Sequence, residues 1–68
     1  MNKREIEEQA ILAFGAAVNA GFITTHASVD EIEDNAYEIL EFMPDYSPND
    51  LIDKDFDYAV EILTAQLY

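Results

Sequence analysis

The stretch that decides the fold is residues 10–23, Ala-Ile-Leu-Ala-Phe-Gly-Ala-Ala-Val-Asn-Ala-Gly-Phe-Ile, which contains no charged side chain. Apolar residues in it and just before it recur at steps of three and four, the spacing of one face of an α-helix. These residues are Ile6, Ala10, Ala13, Phe14, Ala17 and Val18. Alanine is also the best helix former. We therefore predict a first helix over residues 3–20, ended by Gly21 in a left-handed conformation.

Gly15 lies in the middle of this predicted helix, where a glycine costs about 1 kcal/mol relative to alanine. The close approach of another helix would compensate for that cost. One interpretation is that Gly15 faces the second or third helix of the same chain. The alternative is a self-association seam of Gly15, Ala16 and Asn19, which predicts a homodimer through the first helix.

The rest of the chain is strongly acidic. Fifteen acidic and three basic residues give a formal net charge of −12. Residues 29–68 hold twelve of the acidic residues and one basic residue, Lys54, which is a net charge of −11. The electrostatic field of so much negative charge repels nucleic acids and anionic membranes and attracts basic protein surfaces. Half of the residues are hydrophobic, and this proportion favours a folded domain over disorder.

The length of 68 residues predicts a single domain over residues 1–68, and the absence of cysteine means that no disulfide supports it. A membrane-spanning helix needs roughly 20 apolar residues, which is more than residues 10–23 provide. The N-terminus has no apolar run directly after its basic residues, so a signal peptide is not indicated. These features favour a cytoplasmic protein, in the host cytoplasm if a phage encodes it.

A second helix is predicted over residues 29–43. Ser28 is a suitable N-cap, and Glu31 three residues later completes the pattern of a capping box. Pro44 is expected to end the helix. The buried stripe is predicted to comprise Val29, Ile32, Ala36, Ile39, Leu40 and Met43.

Residues 44–52 connect the second helix to a third. Ser47, Pro48 and Asp50 have the order of an N-cap, a first-turn proline and an acidic third position, which predicts a short extra helical turn near residues 48–52. Leu51 and Ile52 are expected to attach this turn to the core.

The third helix is predicted to run from residue 53 or 55 to the C-terminus. Its apolar face comprises Ile52, Phe56, Ala59, Val60, Leu63 and Leu67. Tyr58, Ile62 and Tyr68 lie off that face and are expected to be exposed. The predicted fold class is therefore all-α, a small three-helix bundle with one extra turn.

Residues that carry chemistry are sparse. His26 is the only histidine, and no residue stands at a metal-ligand or general-base spacing from it. Residues 53–57, Asp-Lys-Asp-Phe-Asp, place acids as the first half of a calcium loop does. Tyr58 stands where that loop needs glycine, and Thr64 stands where it needs glutamate. Because no phosphate-binding loop or nucleophile–base pattern occurs either, we expect no enzyme activity, metal site or cofactor.

Binding to a basic protein surface is the chemistry that remains. Carboxylates four residues apart on a helix lie about 6 Å apart along its axis, and each DNA strand carries about one charge per 3.4 Å. Rows of acidic residues such as Asp30, Asp34, Glu38 and Glu41 therefore imitate a phosphate track. The predicted partner-binding residues are Asp30, Glu31, Glu33, Asp34, Glu38, Glu41, Asp45, Asp53, Asp55, Asp57, Tyr37 and Tyr46.

Two kinds of protein resemble this chain. Small phage-encoded anti-CRISPR and anti-restriction proteins are similar in size and charge, which implies a nucleic-acid mimic that inhibits a DNA- or RNA-handling partner. Residues 47–52, Ser-Pro-Asn-Asp-Leu-Ile, resemble a connecting segment of the acidic helical immunity proteins that neutralise bacterial nucleases. That resemblance implies an antitoxin or nuclease-immunity role, but the adjacent tyrosine pair of that family is absent. A third interpretation is a small structural adaptor or homodimer that uses the first helix as its interface.

Overall fold

The computed structural model describes residues 1–68 and confirms the all-α class. Helix α1 spans Lys3–Asn19, α2 Val29–Asp34, α3 Ala36–Leu40 and α4 Asp53–Thr64, and a 3-10 turn, Pro48–Asp50, lies between α3 and α4. There are four α-helices rather than three because the predicted second helix is divided. None of the four has the length and apolar character that crossing a membrane would require.

Helix α1 begins at a capping box that the sequence patterns did not identify. Asn2 Oδ1 accepts a hydrogen bond from the Glu5 N–H at 2.8 Å, and Glu5 Oε1 accepts one from the Asn2 N–H at 3.3 Å. The first of these bonds satisfies one of the N–H groups that have no partner within the helix, and the second anchors the cap residue itself.

The other end of α1 is closed by Gly21, which has a φ of 76°. The Gly21 N–H donates to the Val18 carbonyl at 3.0 Å, and the Phe22 N–H donates to the Ala17 carbonyl at 2.9 Å. This pair of bonds is the Schellman motif. The predicted left-handed glycine is therefore confirmed, and it fixes the position of Phe22.

The inner face of α1 forms the centre of the hydrophobic core. α1 packs most extensively against α4 and also contacts α3. Five of its six predicted apolar residues are buried, and Val18 is half-buried. The buried residues are Ile6, Ala10, Ala13, Phe14 and Ala17. The small alanine side chains let α4 approach closely.

Gly15 is exposed on the outer face of α1. A Cβ atom built at Gly15 would meet no other atom within 4 Å, so no helix packs against it. The interpretation that Gly15 faces another helix of the chain is wrong. The physical reason is angular: Gly15 follows the buried Ala13 by two residues, which is about 200° around the helix axis.

Residues 29–43 form two short helices instead of one. Asn35 has φ −112° and ψ 13°, outside the helical region, and its side-chain Nδ2 donates to the Glu31 carbonyl at 2.9 Å. Asparagine competes with helical hydrogen bonding through such local contacts. The helical path is therefore interrupted between Asp34 and Ala36. α3 also ends at Leu40 rather than at residue 43, and a turn leads from it to Pro44.

The predicted N-cap of α2 is confirmed, because Ser28 Oγ accepts a hydrogen bond from the Glu31 N–H at 3.1 Å. The capping box is only half formed, since the Glu31 side chain returns no hydrogen bond to Ser28. Val29 was predicted to be buried but is 49% exposed. As the first residue of α2 it lies at the edge of the core. The other predicted core residues of this region are buried: Ile32, Ala36, Ile39, Leu40 and Met43.

The predicted extra turn is confirmed as the 3-10 turn at Pro48–Asp50. The Ser47 N–H donates to Asp50 Oδ2 at 2.9 Å, and Ser47 Oγ accepts from the Asn49 N–H at 3.3 Å. Leu51 is half-buried against the core. Ile52, however, is 65% exposed, because it is the extended N-cap residue of α4 and lies outside the packed helix.

Helix α4 ends at Thr64 and does not continue to the C-terminus. The last residues turn back, so that the Tyr68 N–H donates to the Thr25 carbonyl at 3.0 Å. Tyr68 is exposed as expected, whereas Tyr58 and Ile62 are half-buried against the core. The predicted inner face is otherwise correct: Ala59 and Leu63 are buried, and Phe56, Val60 and Leu67 are half-buried.

Candidate partner-binding surface

The acidic residues of the predicted binding surface are open to solvent. Of the ten, only Asp55 is half-buried and the other nine are exposed. The ten are Asp30, Glu31, Glu33, Asp34, Glu38, Glu41, Asp45, Asp53, Asp55 and Asp57. The loops and helix faces from α2 to α4 therefore form an acidic surface, the name used below for these ten side chains.

No basic side chain forms an ion pair with the acidic surface. The single ion pair of the molecule joins Arg4 and Glu8 on α1, with 3.6 Å between Nε and Oε1. Lys3 Nζ lies 5.2 Å from the centre of the Tyr58 ring, the distance of a cation–π contact. Lys3 and Lys54 also line a groove of about 320 Å³ beside Asp55 and Asp57, so basic side chains approach the acidic surface only at its α4 end.

The predicted row of Asp30, Asp34, Glu38 and Glu41 does not follow one helix. Asp30 and Asp34 lie on α2, whereas Glu38 lies on α3 and Glu41 is its C-cap. The break at Asn35 separates the two pairs. The four-residue spacing therefore applies within one helix only to Asp30 and Asp34, since Glu38 and Glu41 are three residues apart and no single helix carries all four.

Two grooves that contain no basic residue combine acidic residues with side chains from other parts of the chain. The first, the α2–α4 groove, has a volume of about 420 Å³. Glu33 of α2 and Asp57 of α4 both line it, together with Glu61, which the sequence patterns did not select. The remaining lining residues are Phe56, Val60 and Thr64. The sequence could have pointed to Glu61, because it stands one helical turn after Asp57.

The second groove, which we call the aromatic groove, also has a volume of about 420 Å³ and is lined by Phe22, Glu38, Glu41 and Phe42. The two phenylalanine rings lie 6.0 Å apart with 41° between their planes, which is a favourable aromatic pair. Sequence reasoning placed both glutamates on the binding surface. It missed the rings, because Phe22 and Phe42 are twenty residues apart and only the folded chain joins them.

Asp45 and Tyr46 of the predicted surface have partners within the molecule. Gln9 Nε2 donates to Asp45 Oδ2 at 3.0 Å, and the Asp45 N–H donates to Gln9 Oε1 at 3.2 Å. The Tyr46 hydroxyl donates to Glu5 Oε2 at 2.7 Å. These bonds attach the loop after α3 to α1, so both residues hold the structure together in the free protein.

Two hydroxyl–carboxylate contacts shift pKa values. The hydrogen bond from Tyr46 and that from the Asn2 backbone lower the pKa of Glu5. The same Glu5 contact, with the charge of Glu5, raises the pKa of Tyr46. Burial and the neighbouring Glu7 raise the pKa of Tyr58, whose hydroxyl donates to Glu7 Oε2 at 3.3 Å. All three shifts favour an ionised carboxylate beside a neutral tyrosine.

Tyr37, the other tyrosine among the predicted partner-binding residues, is hydrogen-bonded within the molecule but still partly open to solvent. The Tyr37 hydroxyl donates to Asn49 Oδ1 at 2.9 Å, while 42% of the side chain stays exposed.

Residues 53–57 form the first turns of α4 rather than a loop, so they lack the wrapped backbone of a calcium site. No group of three or more histidine, aspartate or glutamate side chains is arranged to hold a metal ion. His26 is exposed, with its ring 5.8 Å from that of Tyr68.

No protein-family model, characterised protein or solved structure that we compared with this chain matches it.

Proposed function

We propose that this protein is a non-enzymatic inhibitor that covers a basic, nucleic-acid-binding surface of another protein. The observation that carries the proposal is the acidic surface: ten carboxylates on the outside of one small domain, with no ion pair among them. A charged surface attracts the opposite charge over about 10 Å at 0.1 M salt. The acidic surface is therefore suited to binding a basic cleft. Proteins that cut or process nucleic acids carry such clefts.

The inhibition would follow from occupancy alone. A partner that binds the acidic surface places its lysine and arginine residues against carboxylates instead of phosphates. Glu33 and Asp57, which line the α2–α4 groove, and Glu38 and Glu41, which line the aromatic groove, provide two positions for such contacts. A cytoplasmic protein of the phage anti-defence type would have this role. An antitoxin that neutralises a basic nuclease would bind its partner through the same chemistry.

The proposal is tested by capture on the immobilised protein from a nuclease-treated bacterial lysate at low salt. Elution uses a salt gradient, and competition uses duplex DNA or RNA, with an uncharged polymer as control. We expect the retained proteins to be nucleic-acid-binding proteins that DNA or RNA displaces. Retention that persists at about 1 M salt, where the Debye length is about 3 Å, or that neither nucleic acid reduces, would contradict the proposal.

A second candidate function is a homodimer or adaptor that uses α1, and one observation favours it. Gly15 faces open space, and next to it on the outer face Ile11 and Leu12 are 42% and 54% exposed. The dependence of association on salt concentration distinguishes the two functions. Self-association of a chain with net charge −12 strengthens as salt screens repulsion, whereas binding to a basic partner weakens. Sedimentation equilibrium of the protein alone at low and high salt measures the first effect.

A further inference from the structure

We infer that the aromatic groove is a binding site for an arginine side chain of a basic protein partner. The inference rests on the proposed function in that both require a basic partner, and it names the group that this partner inserts. The groove combines two features that a solvated acidic face lacks. It is lined by two rings, Phe22 and Phe42, which we call its floor, and by two carboxylates, Glu38 and Glu41, which we call its rim.

The floor of the groove is held in place by the backbone. Phe22 follows the left-handed Gly21, and its N–H is bonded to the Ala17 carbonyl at 2.9 Å. Phe42 is bonded through its N–H to the Ile39 carbonyl at 3.0 Å and packs against the core. Phe22 nevertheless leaves 44% of its side chain exposed. A preformed ring that stays open to solvent binds a ligand with little loss of conformational entropy.

The rim of the groove has no partner in the free protein. Glu38 and Glu41 are both exposed. Neither carboxylate forms an ion pair, since the only one joins Arg4 and Glu8. The groove therefore offers two negative charges beside an aromatic surface. A neutral apolar ligand would leave these carboxylates without compensation as it displaced water, and a nucleotide would bring its phosphate against them.

Arginine matches this combination better than lysine does. Its guanidinium is planar and weakly hydrated, stacks on aromatic rings and forms paired hydrogen bonds with carboxylates. The lysine ammonium is a compact, strongly hydrated charge. A cation over an exposed ring gains about 0.5–1 kcal/mol, which corresponds to a two- to fivefold change in affinity. Because a lysine ammonium over the ring gains part of the same energy, we expect arginine to bind more tightly than lysine by at most about two- to fivefold.

The test is a titration of the full-length, ¹⁵N-labelled protein with three blocked tripeptides, observed by NMR. The probes are N-acetyl-Gly-Arg-Gly-amide, its lysine counterpart and its citrulline counterpart, which has the shape of arginine without the charge. We expect the largest amide shifts of the arginine titration at Phe22, Glu38, Glu41 and Phe42. Citrulline should produce almost none. Shifts of equal size for arginine and lysine, or larger shifts in the α2–α4 groove, would overturn the inference.

Substitutions separate the contribution of the aromatic ring to arginine binding from that of the two carboxylates. Phe22→Leu keeps an apolar side chain and the Gly21 turn but removes the more exposed of the two rings, so it should reduce the preference for arginine over lysine. Glu38→Gln with Glu41→Gln should weaken both peptides. The matched control, Glu33→Gln with Glu61→Gln, makes the same change of charge in the α2–α4 groove and should reduce arginine binding in the aromatic groove less. Equal losses in the two double variants would contradict a defined site.

The outcomes also separate this inference from the proposed function. If arginine shifts spread evenly over the acidic surface while captured proteins are still displaced by nucleic acid, the inhibitor function stands and the arginine site is wrong. If the aromatic groove selects arginine but nucleic acid displaces no captured partner, the site stands and the function is wrong. If no tripeptide shifts any amide and no basic protein is captured, both are wrong.

Discussion

Helix α1 and residues 29–43 both place apolar side chains in the core, but only α1 is one uninterrupted helix. Local interactions support α1 along its length: a capping box at Asn2, an ion pair between Arg4 and Glu8, and the Schellman turn at Gly21. Residues 29–43 contain six acidic residues and no basic one, and Asn35 interrupts them. Like charges at four-residue spacing destabilise a helix. The second region is therefore helical mainly because tertiary packing holds it.

The largest expected effect tests this dependence on packing. Leu40→Ala removes a fully buried side chain of α3 and should reduce the free energy of unfolding by about 2–5 kcal/mol. Val29→Ala, at a position 49% exposed, should cost about 0.5 kcal/mol or less. Urea unfolding followed by circular dichroism measures both. Similar losses for the two variants would mean that α2 packs more deeply than the structure shows.

Gly15, within α1, and Gly21, just after its C-cap, should give effects of opposite sign when each is replaced by alanine. Gly21→Ala forces a side chain into the left-handed region and should destabilise the protein by about 1–2 kcal/mol. Gly15→Ala adds a Cβ that meets no atom within 4 Å and should stabilise it by up to about 1 kcal/mol. Thermal unfolding of the two variants side by side measures the contrast. Destabilisation by Gly15→Ala would show that something occupies the outer face of α1.

A smaller effect is expected at the break in residues 29–43. Asn35→Ala gains up to about 0.7 kcal/mol of helix propensity but loses the side-chain bond to the Glu31 carbonyl, worth about 0.5–1.5 kcal/mol. Stability should therefore change little, while far-ultraviolet circular dichroism should show increased helix content. Asn19→Ala, at the last residue of α1, is the control. Unchanged helix content in Asn35→Ala would mean that packing, not the asparagine side chain, imposes the break.

The smallest effect concerns the hydrogen bond from Tyr46, in the loop that follows residues 29–43, to Glu5 of α1. The folded pKa of Glu5 is lowered, so this contribution to stability is present above the ordinary pKa of about 4.5 and is lost as the pH falls through the lowered value. The folded pKa of Tyr46 is raised. Its contribution is present below the ordinary pKa of about 10 and is lost as the pH rises through the raised value.

Tyr46→Phe removes the dependence due to Tyr46 and the part of the Glu5 dependence that the hydroxyl causes, while the backbone hydrogen bond from Asn2 to Glu5 remains. The melting temperature of this variant should lie below that of the natural protein near pH 7, and the difference should shrink in acid and in strong alkali. Tyr68→Phe is the control, because Tyr68 is 92% exposed and its hydroxyl forms no hydrogen bond. A difference for Tyr46→Phe that stays constant from pH 3 to pH 11 would mean that the hydroxyl–carboxylate bond does not contribute to stability.

The sequence was most informative where local chemistry decides the structure. Gly21, Ser28 and Ser47 act through neighbours within a few residues, so each was assigned its place in a cap or turn. The break at Asn35 was missed because apolar periodicity continues across it. The partners of Gln9 and Phe22 were missed for a different reason: Asp45 lies 36 residues away from Gln9, and periodicity carries no information about contacts at that distance.

The packing of α1 against α4 should also affect how fast the protein folds. The most extensive helix pair joins the first and last helices of the chain, and Glu7 and Tyr58, which meet there, are 51 residues apart. Closing so long a loop costs entropy before any contact is gained, so this bundle should fold more slowly than one built from sequential neighbours. We expect Ala59→Gly to slow folding more than it accelerates unfolding, as stopped-flow measurements in urea would show.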